Sequence, residues 1–62
     1  SMKLTYELAA EAAAYYNELS AGVDEDTLTI SPEADIILGR ALEEGLAQWL
    51  TAEDIMEVLG AS

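Results

Sequence analysis

Cysteine, histidine and phenylalanine are absent from this chain, and lysine and arginine together number two. Each absence removes a class of structure or chemistry. Without cysteine no disulfide can brace a small fold. Without cysteine or histidine there is no thiolate or imidazole metal site, and no Ser–His or Cys–His nucleophile pair. No uncharged apolar run approaches the roughly 18 residues of a membrane-spanning helix. The alanine-rich stretch after Lys3 is interrupted by Glu7 and Glu11, which does not fit the continuous apolar core of a signal peptide. These gaps predict no membrane partner and a cytoplasmic setting.

Thirteen carboxylates face those two basic residues, so 62 residues carry a formal charge of −11. A surface of this sign repels nucleic-acid phosphate and anionic lipid. Direct nucleic-acid binding is therefore not expected, and a basic protein surface is the favoured partner. The chain is not a disordered acidic tail, because 52% of its residues are hydrophobic, well above the composition of disordered segments. Residues 1–62 read as a single small helical domain, with Ser1 ahead of Met2 a remnant of cloning. A domain of this size hides only about 60% of its unfolded surface, so a homo-oligomer is the expected support.

Leu4 to about Leu19 reads as the first helix, since Leu4, Leu8, Ala12, Tyr15 and Leu19 share one face. Glu7, Glu11 and Glu18 form a stripe along its flank. Tyr6, Ala9, Ala13 and Tyr16 make a second, weakly polar face. Gly22 is placed as a left-handed cap. Asp24, Glu25 and Asp26 make an acidic loop, and Thr27 to Ile30 alternate as a short extended segment. Ser31-Pro32-Glu33 opens a second helix, predicted to run to about Leu50 unless Gly45 breaks it. Its expected core stripe is Leu38, Leu42, Leu46 and Trp49, with a surface Trp49 that anchors a partner as the competing reading. Thr51 caps a third helix running to Leu59, with Gly60 as its stop.

Two resemblances attach to these segments. Leu50 to Ser62 resembles the first helix and turn of a helix-turn-helix unit. Thr27 to Leu59 is similar in layout to a ribbon-helix-helix dimer: strand, proline-started helix, Gly45, second helix. That family inserts basic or polar strand residues into DNA, whereas acids precede Thr27 here. The resemblance thus implies a dimer architecture without the DNA function.

Few constellations suggest chemistry. Glu43-Glu44 and Glu53-Asp54 are adjacent carboxylates, but neighbours on a helix diverge. Asp24, Asp26 and Asp35 match three positions of a calcium-binding loop, yet Leu28 and Thr29 stand where a ligand and a glycine are needed. No catalytic residue, cofactor or metal site is expected.

The sequence therefore predicts an all-α, three-helix domain with a short extended segment between helices 1 and 2. Its core is Leu8, Tyr15, Leu19, Leu38, Leu42, Leu46, Trp49, Ile55 and Leu59. The predicted role is a non-enzymatic interaction module that binds a basic partner through Glu7, Glu11, Glu18, Asp24, Glu25 and Asp26. Self-association is expected through Tyr6, Ala9, Ala13, Tyr16 and Ile36. A DNA-mimic inhibitor of phage or mobile-element type and a structural assembly subunit are the alternatives.

Overall fold

The computed structural model describes residues 3–60, and its described elements are three α-helices and one 3-10 turn. The reading of Ser1 as a cloning remnant lies outside the described residues. The helices are α1 (Tyr6–Ser20), α2 (Pro32–Glu43) and α3 (Ala52–Gly60). The 3-10 turn, Glu25–Thr27, lies between α1 and α2. This is the all-α three-helix domain that the periodicity predicts.

Each helix begins at a side chain that satisfies an otherwise unpaired N–H. Thr5 stays extended, and its Oγ1 accepts from the Leu8 N–H at 3.2 Å, so α1 starts at Tyr6 rather than Leu4. Ser31 Oγ accepts from the Ala34 N–H at 3.2 Å, with Pro32 at the first helical position. Thr51 Oγ1 accepts from the Asp54 N–H at 3.1 Å.

Two helices end in the same way. Gly22 has φ of 90°, and the Val23 and Gly22 N–H groups donate to the carbonyls of Glu18 and Leu19, both at 3.0 Å. Gly45 has φ of 96°, and the Leu46 and Gly45 N–H groups donate to Ala41 and Leu42 at 3.1 and 3.0 Å. Both are Schellman caps, whose left-handed residue is glycine because a Cβ is disfavoured there. The cap at Gly45 corrects the expectation that α2 reaches Leu50. The helix stops at Glu43, and 46–50 becomes a loop.

That termination rearranges the core. Leu38 is buried, but Leu42 and Trp49 are exposed and Leu46 is half-buried. The inward face of α2 is instead Ala34, Ile37, Leu38 and Ala41. From α1 the buried residues are Ala9, Ala12 and Ala13, and from α3 Ala52, Ile55 and Leu59, with Leu50 joining from the loop. Leu8 and Tyr15 pack half-buried at the edge of this cluster, and Leu19 is half-buried as well. α1 is the central element: it packs against both other helices, which touch each other less. Alanines fill its contact faces because small side chains let neighbouring backbones come close.

The connector contains no strand among the described residues. Leu28 is extended and Ile30 packs against the core.

Candidate functional site

Every carboxylate except Glu11 is exposed. Glu11 is diverted into structure: it accepts from the Ser31 N–H at 2.6 Å and from the Ser31 hydroxyl at 2.9 Å. In a capping box this role falls to a Glu or Gln three residues after the cap. That position here is Ala34, which is fully buried, so the carboxylate comes from the neighbouring helix. Ser31 Oγ donates to Glu11 while accepting from Ala34, which uses both capacities of a hydroxyl. The predicted stripe is thereby corrected. Glu7 and Glu18 remain exposed, and Glu11 is a helix-capping group rather than a free partner contact.

In the acidic loop, Asp24 Oδ1 accepts from the Asp26 N–H at 3.0 Å, and the Thr27 hydroxyl donates to the Asp24 carbonyl at 2.7 Å. The loop is thus an ordered turn with Asp24, Glu25 and Asp26 facing solvent. Lys3 and Arg40 are exposed, and among the described residues neither forms an ion pair with a carboxylate. The negative field is left uncompensated.

The residues predicted for self-association divide. Ala9 and Ala13 are buried inside the monomer and cannot meet a second copy. The physical reason is the central position of α1, which uses both of its flanks against its own neighbours. Tyr16 is half-buried, and its hydroxyl donates to the Ala47 carbonyl at 3.1 Å. Tyr6 and Ile36 are exposed.

Two further features belong to this surface, of which only the second has a counterpart in the sequence reading. Asn17 grips the backbone of Leu50 on both sides: its Nδ2 donates to the carbonyl at 2.7 Å, and its Oδ1 accepts from the N–H at 2.8 Å. The signal for it was present, since Asn17 continues the Ala9–Ala13 line at the next four-residue step. The other feature is Trp49, 62% exposed in the 46–50 loop.

Tyr6 donates to Glu53 Oε2 at 3.0 Å. That hydrogen bond, and then the charge of Glu53, raise the Tyr6 phenol above its ordinary value of 10.0. The folded state therefore holds the phenolic proton more tightly than the unfolded chain. The contribution is fully present below about pH 10 and is lost as pH rises through the higher folded value. Urea titrations above pH 10 are expected to show wild type losing stability more steeply than Tyr6→Phe. Parallel profiles would mean that the Tyr6–Glu53 bond has no thermodynamic weight.

Among the described residues no concave cavity forms, and no group of three acidic side chains gathers where a metal could sit. No described helix is long and apolar enough to cross a membrane. Comparison with known protein families, characterised proteins and solved structures finds no match.

Proposed function

We propose that this chain is a small non-enzymatic binding module that engages a cationic protein surface. The observation that carries this reading is the uncompensated acidic surface: among the described residues every side-chain carboxylate but Glu11 is exposed, and neither Lys3 nor Arg40 pairs with one. Such a field speeds encounter with a basic partner and repels acidic ones. The self-association expected from the sequence has less support, because Ala9 and Ala13 serve the monomer core. A DNA-mimic inhibitor is also the weaker reading. With Glu11 engaged by Ser31, the nearest free carboxylates of the stripe are Glu7 and Glu18, about 16 Å apart along the axis at 1.5 Å per residue. The axial phosphate step of one DNA strand is about 3.4 Å.

Affinity capture at about 0.15 M salt, followed by titration of the purified captured protein over a salt series, tests the proposal. It expects a partner with a basic surface whose affinity falls as salt rises. Saturable binding to a neutral or acidic partner, indifferent to salt, would overturn it.

A further inference from the structure

We propose that the tip of the 46–50 loop, Gln48 and Trp49, is a preset anchor for an arginine side chain of a basic protein partner. This rests on the reading of the acidic surface given above and assigns that surface its apolar contact point.

The loop is pinned on both sides of the tip. The Leu46 N–H is held by the Ala41 carbonyl at 3.1 Å, and the Ala47 carbonyl by the Tyr16 hydroxyl at 3.1 Å. Leu50 is gripped through both backbone groups by Asn17, and Thr51 caps α3. Gln48 and Trp49 alone in 46–51 make no backbone hydrogen bond among the described residues. The chain is thus fixed, lifted off for two residues, and fixed again. Among the described residues, Trp49 is the most exposed of the large hydrophobic side chains at 62%. A lone exposed apolar residue is ordinary, and Ile36, on a helix face shared with Glu33, Arg40 and Glu43, is one. Trp49 differs because the chain is pinned immediately on both sides of the two-residue tip, so binding there loses less conformational entropy than at a free loop.

Charge selects the occupant. A second copy would bring −11 against −11. A phosphate backbone or an anionic membrane is repelled by the same field. Exposed Glu43 and Glu44 precede the tip, and exposed Glu53 and Asp54 follow it. All four lie within six residues of Trp49, hence within roughly 20 Å by chain length alone. Indole is the best side-chain π acceptor for a cation. Guanidinium stacks on aromatic faces and is more weakly hydrated than ammonium, so arginine fits this tip better than lysine.

The test titrates the full chain with a short peptide alternating arginine and glycine, and with its lysine counterpart. Trp49 is the sole tryptophan, so its emission reports the site directly. The arginine peptide is expected to bind one-to-one, to shift the emission and to bind more tightly than the lysine peptide. Trp49→Ala, followed by calorimetry, should weaken the arginine peptide by about 3- to 30-fold and erase the preference over lysine, with the circular dichroism melt unchanged. Equal affinity of Trp49→Ala and wild type for the arginine peptide overturns the anchor, while the persisting binding leaves the broader acidic-module reading intact. Failure of both peptides to bind wild type overturns both. An emission shift that follows protein concentration without peptide assigns the tip to a second copy and overturns the proposal.

Discussion

Ile55→Ala is expected to leave the domain close to or beyond its unfolding midpoint at room temperature, and Ile37→Ala to do nearly as much. These are the two largest fully buried side chains, each with no exposed surface. Truncating such a residue costs about 2–5 kcal/mol, part from lost transfer energy and part from the cavity left behind. At the usual 0.05–0.15 kcal/mol per residue, a 62-residue chain holds roughly 3–9 kcal/mol in total. The melting temperature should fall by at least about 8 °C. Trp49→Ala should shift it little, because the indole is 62% exposed and surface substitutions are usually within about 0.5 kcal/mol. Urea and thermal melts of the three variants, followed by circular dichroism, rank them. A Trp49→Ala protein that melts below both isoleucine variants would place the indole in the core after all.

That ranking reverses the one suggested by the Leu38–Leu42–Leu46–Trp49 stripe, and the reason lies in one dihedral angle. Glycine at 45 is compatible with a weakened helix or with a terminated one, and local propensity does not distinguish them. Once Gly45 adopts φ of 96°, everything after it leaves the helical period, and Trp49 leaves the stripe. The caps at Ser31, Thr51 and Gly22 are legible because their chemistry involves residues within four or five positions. The inward face of α1 is less legible. Bulky Leu8, Tyr15 and Leu19 suggest the core side, yet the alanines are buried most deeply, since a helix between two neighbours needs close approach on two flanks. The acidic surface is readable from composition alone. The exception, Glu11, is not, because its partner Ser31 lies 20 residues away and only the tertiary fold brings them together.

Asn17→Ala is the substitution that most sharply tests whether the loop is held or merely lies where it does. Leu50 is 4% exposed, and its N–H and carbonyl both depend on the Asn17 amide. Removing that amide leaves a donor and an acceptor without partners, each costing about 1–3 kcal/mol when water cannot replace the bond. Partial access of water sets the expected total near 2–4 kcal/mol. The sign makes the experiment decisive. Alanine is the better helix former by about 0.7 kcal/mol or less, so a clamp without energetic weight predicts a variant as stable as wild type or more so. Asn17→Asp adds a second comparison. It keeps an acceptor for the Leu50 N–H but sets a carboxylate oxygen against the Leu50 carbonyl, so it too should destabilise. The loss should also be local before it is global. Amide exchange at Leu50 and the mobility of Trp49, read by fluorescence anisotropy, should rise at temperatures where the helical circular dichroism signal is still intact. A more stable Asn17→Ala protein with unchanged Trp49 anisotropy would show that core packing of Leu50 holds the loop, and that the amide contacts follow from the fold instead of fixing it.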